Sequence, residues 1–196
     1  MRSVDVVRVG ERAVRFVIPS DVPRAPLLAW LLEQDDVLDA SLAAEHALVV
    51  FGDVPREIVL PSFDEVSRVP ATEHVIHIVY DGEDLDEVAA LTGLAREEVA
   101  RAHTRNAYDV AFLGFCPGFA YLAGLDPALA EVSRRGAPRA RVPENAVAIA
   151  GGYSGIYPTA MPGGWRLIGR AVDARLLEGE APRFGVGDRV RFVAVR

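Results

Sequence analysis

The sequence predicts an α+β N-terminal domain, residues 1–70, followed by a mainly-β barrel domain, residues 71–196. The first observation behind this fold class is a change of texture after Arg105, where short apolar runs alternate with Gly and Pro. Many short strands joined by Gly/Pro turns are typical of closed or nearly closed β-barrels. The second observation is size, because 196 residues, 51% of them hydrophobic, can bury one full core or two small ones.

In the N-terminal domain, alternating apolar and charged residues on both sides of Gly10-Glu11 predict a strand pair around a turn. Pro23 and Pro26 stand at the start of a Leu- and Ala-rich segment, as is common in the first turn of a helix. A second strand pair and a proline-containing connector follow. The predicted bounds are strands Val4–Val9 and Ala13–Ile18, helix Pro26–Gln34, strands Val37–Ala44 and Ala47–Phe51, and a short helix at Ser62–Val66 within the connector Gly52–Pro70.

In the second domain, the alternation from His74 to Tyr80 predicts a strand, and two helical stretches follow it. Asp84 is the predicted N-cap of the first of these helices. The helices are predicted at Leu85–Leu91 and Arg96–Ala102, and further strands at Asp109–Phe115, Val147–Ala150, Trp165–Gly169, Arg175–Leu177 and Arg189–Val195.

Composition excludes several kinds of chemistry. All 21 basic residues are Arg, so the chain has no Lys for a Schiff base, a P-loop or a biotin attachment. The formal net charge of −7 argues against a nucleic-acid partner, since affinity for phosphates comes from basic residues. The single cysteine, Cys116, cannot form an internal disulfide, and no leader-like or membrane-spanning apolar run occurs. We therefore expect a cytoplasmic protein without a membrane partner.

Few residues are candidates for catalysis or metal binding. His74 and His77 are three apart in a predicted strand, which puts them on opposite faces, and no other metal-ligand spacing is present. His103 ends the second predicted helix and is the candidate for proton transfer, because His titrates near neutrality. Cys116 is interpreted as a small buried hydrophobe.

Aromatic residues and arginines cluster in the Gly-rich second half of the chain. Rigid loops with aromatic walls suit a small-ligand pocket, although a protein-binding surface uses the same ingredients, and both interpretations remain open. A local basic stretch could bind a carboxylate, because Arg matches carboxylates bidentately. The aromatic residues are Phe115, Phe119, Tyr121, Tyr157 and Trp165, and the arginines are Arg134, Arg135, Arg139 and Arg141.

The segment Phe112–Leu122, which reads FLGFCPGFAYL, is similar to the signature G-F-x-P-G-F-x-Y-L of a known protein family. Further matching motifs are Gly124–Asp126, Pro138–Pro143, Ile149–Gly152, Gly155–Pro158, Pro162–Arg170 and Gly187–Phe192. The second domain thereby resembles the family known under three names: the B component of 5-oxoprolinase (PxpB), the Kip inhibitor of a sporulation histidine kinase, and allophanate hydrolase subunit 1.

The resemblance implies a cyclophilin-like barrel in a heteromeric hydrolase. Its partner would be a second barrel-fold protein, of the 5-oxoprolinase C-component, Kip antagonist or allophanate hydrolase subunit 2 type, with a possible third subunit. The implied reaction is the ATP-dependent conversion of 5-oxo-L-proline to L-glutamate, with no cofactor or metal on this chain and ATP bound elsewhere. A subunit of the allophanate hydrolase or urea carboxylase type, and an inhibitor of a sensor histidine kinase, are the alternatives.

The chain departs from the family pattern at Met161, at Glu144–Ala146 and at Tyr153–Ser154, which changes polar groups beside the expected site. The expected ligand is a small carboxylate or amide, and Arg139 or Arg141 is the expected carboxylate partner. The predicted site comprises His103 as catalytic residue and, as substrate-binding or interface residues, Phe115, Phe119, Tyr121, Arg139, Arg141, Gly152, Ser154, Tyr157, Pro162, Gly163 and Trp165.

Overall fold

The computed structural model describes residues 1–63, 69–179 and 181–196. It divides the chain into two compact units, Met1–Pro70 and Ala71–Arg196. Strands dominate both units, and helices are few and short. Among the described residues, the helices are all too short or too polar to cross a membrane.

The first unit contains a four-stranded antiparallel sheet with the strand order β2-β3-β5-β4 and one helix, α1. Every second residue of β3 and β5 is buried, as in a sheet with one face on the core. The core of this unit includes Phe16, Val49 and, from the helix, Leu27 and Leu31. The elements are β1 (Arg2–Ser3), β2 (Val6–Val9), β3 (Ala13–Val17), α1 (Arg24–Leu32), β4 (Val37–Leu42), β5 (His46–Phe51) and β6 (Val59–Leu60).

The second unit contains eleven strands and three helices among its described residues. Helix α2 ends at Gly93, whose φ of +71° is the left-handed conformation that glycine adopts readily at a helix C-terminus. The elements are β7 (Glu73–Val79), α2 (Leu85–Thr92), α3 (Arg96–Arg105), β8 (Ala107–Leu113), β9 (Ala120–Ala123), α4 (Pro127–Ala130), β10 (Arg139–Val142), β11 (Ala146–Ala150), β12 (Tyr153–Ile156), β13 (Met161–Gly163), β14 (Arg166–Ala171), β15 (Leu177–Glu178), β16 (Ala181–Pro182) and β17 (Arg189–Ala194).

Seven of these strands close a barrel in the order β11-β12-β9-β8-β17-β7-β14. Six of the seven pairings are antiparallel, and β17 runs parallel to β7, from Arg189 opposite Glu73 to Ala194 opposite Ile78. The barrel interior is apolar, and this closed barrel fits a cyclophilin-like fold. Strands β10 and β13 form a separate antiparallel pair, and β13 contributes Pro162 and Gly163 to the site described below.

The structure confirms most of the predicted elements and corrects others. The strand predicted to Phe115 ends at Leu113, because Phe115 has a φ of +72° and cannot continue it. The strand predicted at Arg175–Leu177 is wrong except for Leu177. Strands β9, β10, β12 and β13 were not predicted, since they are only three or four residues long. The helix predicted at Ser62–Val66 lies mostly outside the described residues.

Candidate functional site

A cavity of about 370 Å³ opens beside the barrel in the second unit. It lies between the loop that follows β8, the loop that precedes β10, and the β13–β14 region. Its described lining includes no carboxylate side chain. The lining residues are Phe115, Phe119, Tyr121, Arg134, Arg135, Pro138, Tyr157, Pro162, Gly163, Gly164 and Trp165.

The aromatic wall of this pocket is organised around Phe119, which is 1% exposed. Its ring makes edge-to-face contacts with Tyr121, Tyr157 and Trp165 at centroid distances of 5.3, 5.4 and 5.4 Å. Such contacts fix the rings relative to one another and stabilise more than their buried area alone. The wall is therefore a rigid surface.

Glycine allows the rings to pack this closely. A Cβ on Gly155 would lie 2.8 Å from Cζ of Phe119, and a Cβ on Gly163 would lie 2.7 Å from Cζ of Tyr157. Both distances are shorter than carbon atoms tolerate without movement. The two glycines thus make room for the ring cluster at the pocket floor.

Phe115 lies at the rim of the pocket and is unlike the other rings. It is 60% exposed and has a φ of +72°, an uncommon conformation for a bulky residue. Its ring still makes an edge-to-face contact with Phe119, at 5.5 Å between centroids. Residues held in sparsely populated backbone conformations cluster at functional sites.

The basic side of the pocket comes from one loop. Arg135 donates its backbone N–H to the carbonyl of Gly164 at 2.8 Å, and its Nη1 donates to Asp84 at 2.7 Å. Arg166 donates Nε to the carbonyl of Ser133 at 3.3 Å. The guanidinium of Arg134 is exposed and has no hydrogen-bond or ion-pair partner within the described parts of the chain.

Asp84 holds this loop, although it was predicted to cap a helix. Its carboxylate makes no capping hydrogen bond to α2. Instead, Oδ1 accepts from Arg135 at 2.7 Å and from Arg139 at 2.6 Å, and Oδ2 accepts from the N–H of Leu167 at 2.7 Å. Burial alone raises the pKa of Asp84, but the hydrogen bonds from Arg139 and Leu167 and the nearby arginines lower it overall. Asp84 is therefore a buried anion that orients the arginines.

The structure brings together seven of the predicted binding residues and leaves four outside the pocket. Arg139 is committed to Glu83 and Asp84, at 3.1 and 2.6 Å, and Arg141 is exposed on β10 away from the cavity lining. Gly152 lies in the turn between β11 and β12. Pro138, Gly164 and the supporting Asp84 were not predicted as site residues, and Arg134 and Arg135 were named only as members of the basic stretch.

His103 and Ser154 lie inside the barrel core and not at the pocket. His103 is fully buried, with Nε2 at 2.8 Å from Ser154 Oγ and Nδ1 at 2.8 Å from the Tyr80 hydroxyl. When the ring is protonated on Nε2, Nε2–H donates to Ser154 Oγ and Nδ1 accepts from the Tyr80 hydroxyl. The Ser154 hydroxyl can then donate to the carbonyl of Ala148, so this tautomer satisfies every contact. Burial lowers the pKa of His103 to about 3, so the ring is neutral at physiological pH.

The described residues near the pocket include no activated nucleophile. Burial raises the pKa of the Cys116 thiol, whose Sγ lies 3.5 Å from Sδ of Met161. A thiol with a raised pKa is a poor nucleophile at neutral pH. No group of His, Cys, Asp and Glu side chains suited to a metal ion occurs in the part of the chain that the structure describes.

Comparison with protein families gives a match across most of the chain. Residues 28–176 match the family described as "Carboxyltransferase domain, subdomain C and D". This region includes α2, the barrel strands from β7 to β14 and the whole pocket.

Two curated relatives are named as the B component of 5-oxoprolinase. The protein of Escherichia coli O157:H7 is 33% identical over an alignment of 205 positions, which covers 94% of this chain and 93% of the relative. The protein of Bacillus subtilis is 42% identical over 125 residues, 61% of this chain. That second match spans 52% of the length of the Bacillus protein.

Solved structures agree on the fold. The crystal structure of TTHA0988 is 34% identical, with a TM-score of 0.76, and the match covers 94% of this chain but only 40% of that protein. The urea carboxylase of Kluyveromyces lactis has a TM-score of 0.71 over 98% of this chain and 22% of its own length. At 17% identity, the second likeness supports the fold alone.

Proposed function

The chain belongs to the family of 5-oxoprolinase B components, within the carboxyltransferase subdomain C and D proteins, and from this premise we propose that it is a non-autonomous subunit of an ATP-dependent hydrolase complex. The proposed reaction is that of a 5-oxoprolinase, which opens the cyclic amide of 5-oxo-L-proline to give L-glutamate. We also propose a cytoplasmic location and an α+β N-terminal domain, the latter supported by the compact unit that ends at Pro70.

One observation carries the non-autonomous role. The pocket has rigid aromatic walls and arginine side chains, yet its described lining offers no general base and no nucleophile. His103 is enclosed in the barrel core, and Cys116 keeps its proton. A pocket that can bind and orient but cannot activate water needs reactive groups from another chain.

The proposed partner is a second subunit with a related barrel fold, with a third subunit possible. The chain has no Lys, so a nucleotide-binding loop with a Lys must lie on a partner. We accordingly propose that ATP is bound mainly outside this chain, and that this chain itself holds no cofactor or metal.

The experiment that tests this function is reconstitution. The chain is co-expressed with its native partner subunits, the complex is purified, and release of glutamate from 5-oxoproline is measured with and without ATP. We expect ATP-dependent release by the complex and none by the isolated chain. An intact complex without turnover contradicts the proposal.

A second candidate is a carboxyltransferase part of the urea carboxylase or allophanate hydrolase type, favoured by the match of residues 28–176 to the family described as "Carboxyltransferase domain, subdomain C and D". It predicts that activity of the assembled complex depends on a biotinylated partner. Addition of avidin separates the two candidates, because it blocks only a biotin-dependent reaction.

The remaining alternative is inhibition of a sensor histidine kinase. It is checked by adding the chain to a kinase autophosphorylation assay, in which a hydrolase subunit should have no effect.

A further inference from the structure

We propose that the pocket binds a small organic monocarboxylate and that Arg134 is the residue that anchors the carboxylate. The inference rests on the proposed function for the choice of the five-membered cyclic amide as ligand, and it assigns the anchoring role to a residue outside the Pro138–Pro143 motif. The binding step can be measured on the full chain without turnover.

The arginines beside the pocket differ in whether a carboxylate pairs with them. Three arginines beside the pocket are paired with three carboxylates. The pairs are Arg135 with Asp84 and Glu87, Arg139 with Glu83 and Asp84, and Arg166 with Glu87. This network is neutral as a whole. Arg134 is the lining cation that this network leaves without a carboxylate, in the part of the chain that the structure describes.

Hydrogen bonds fix the backbone on both sides of Arg134. The residue before it, Ser133, accepts a hydrogen bond from Arg166, and the residue after it, Arg135, is held by Gly164 and Asp84. The two peptide groups that flank Arg134 are thus tied to β14 and to the segment before it, and the side chain of Arg135 is tied to Asp84. A cation on a fixed backbone binds an anion with less loss of conformational freedom than one on a free loop.

The rest of the pocket lining combines apolar surface with hydrogen-bond donors. Phe119 and Trp165 offer apolar surface, while Tyr121 and Tyr157 add phenolic hydroxyls that can donate hydrogen bonds. The positive charge of Arg134 opposes the rise that burial causes in the pKa of both tyrosines, so the guanidinium lies within electrostatic reach of them. Rings, hydroxyl donors and a cation thus surround one cavity.

These features select a ligand class. A volume of about 370 Å³ is at the small end of ligand pockets, so a compact molecule fits better than a nucleotide or a peptide. The absence of a lining carboxylate, among the described residues, favours an anion over a cation. A flat or cyclic body contacts the rings, and its carboxylate reaches Arg134, as 5-oxoproline can.

The experiment measures binding to the full chain. Trp165 lines the pocket and Trp30 lies in α1, so a Trp30→Phe background makes the fluorescence report on Trp165. The probes are 5-oxoproline, benzoate as an unrelated flat monocarboxylate, and 2-pyrrolidinone, which is the same lactam ring without a carboxylate. Ligand-observed NMR follows the same titrations independently.

Arg134→Ala is expected to weaken binding of the carboxylates by between about tenfold and a hundredfold, the range of a hydrogen bond to a charged group. Binding of 2-pyrrolidinone is expected to be weak and unchanged by the substitution. The matched control is Arg141→Ala, which removes another exposed arginine that does not line the cavity and should leave all affinities unchanged. Arg134→Gln repeats the test with less loss of side-chain volume.

The outcomes separate this inference from the proposed function. Equal affinity of the Arg134→Ala variant and its parent for both carboxylates overturns the inference, as does no binding of either carboxylate at tens of millimolar. Arg134-dependent binding of benzoate without binding of 5-oxoproline upholds the anchor and overturns 5-oxoproline as the ligand of this pocket, while the reconstitution assay still decides the proposed function. Arg134-dependent binding of 5-oxoproline together with an inactive complex upholds the anchor and contradicts only the catalytic role.

Discussion

Two polar clusters in the second unit place titratable side chains among aromatic rings, and they differ in how their hydrogen bonds are met. In the barrel core, both ring nitrogens of His103 have partners at 2.8 Å, and the side chain is fully buried. In the pocket, Arg134 is exposed and has no described partner. The contrast separates a group whose hydrogen bonds are all met inside the fold from an accessible charge that a ligand can still pair with.

The contrast extends to the residues behind Arg134. Nε of Arg135 and Nη1 of Arg139 are buried without a hydrogen-bond acceptor. Buried donors that lack acceptors destabilise a structure, and natural proteins keep few of them. The pocket cluster therefore depends more heavily than the His103 cluster on its one central anion, Asp84.

The largest expected effect follows from removal of that anion. Asp84→Ala leaves Arg135 and Arg139 partly buried without their shared carboxylate, and the N–H of Leu167 without its acceptor. Breaking a buried ion pair in this way costs about 3–5 kcal/mol. We expect a loss of this size in the free energy of unfolding, measured by urea denaturation.

The control for Asp84 lies two residues along the chain. Asp86 also pairs with an arginine, Arg96, at 2.8 Å, but its side chain is 76% exposed. Asp86→Ala should change the free energy of unfolding by less than about 1 kcal/mol, as is typical of exposed ion pairs. Equal losses for the two variants would show that burial does not set the importance of Asp84.

The sequence could predict the aromatic half of the site but not its charged half. Phe119, Tyr157 and Trp165 stand in Gly- and Pro-rich loops, which predicts a shared rigid wall, and the structure places them around one cavity. Asp84 meets its partners 51, 55 and 83 residues away, and no local pattern shows such contacts. Only these contacts reveal that Arg139 is already engaged and that Arg134 is not.

The fold shows the same limit. Local alternation of apolar and polar residues predicted β5, β7 and β17, because each is six or seven residues long with regular burial. The parallel pairing of β7 with β17 joins residues more than a hundred positions apart, which periodicity cannot predict. Short strands such as β12 contain Gly, which lowers strand propensity, so their sequences resemble those of turns.

The second prediction alters the pocket wall without altering charge. Gly163→Ala places a methyl group 2.7 Å from two ring carbons of Tyr157, a ring that is 1% exposed and cannot move freely. Overpacking of this kind costs about 1–3 kcal/mol. We expect that loss in thermal or urea unfolding, together with weaker carboxylate binding, because Gly163 and Tyr157 both line the cavity and strain between them alters its wall.

The neighbouring glycine provides the control. A methyl group on Gly164 would lie 3.6 Å from Pro138, which is an ordinary contact. Gly164→Ala should therefore leave stability and carboxylate binding close to those of the parent protein. If both alanine variants behave alike, the close packing of Tyr157 does not shape the pocket.

The smallest effect concerns the satisfied cluster and appears only in acid. The pKa of His103 is about 3 in the folded protein, because burial disfavours the charged ring, and about 6.5 when unfolded. Between these values the unfolded chain binds one more proton, so acidification below about pH 6.5 destabilises the folded state.

His103→Gln removes this pH-dependent contribution to stability. Between pH 8 and pH 5, the free energy of unfolding of the wild type should fall by about 2 kcal/mol more than that of the variant. If His103→Gln does not fold, NMR titration of the wild type decides the question, because a His103 resonance that shifts between pH 8 and pH 5 contradicts an enclosed, neutral ring.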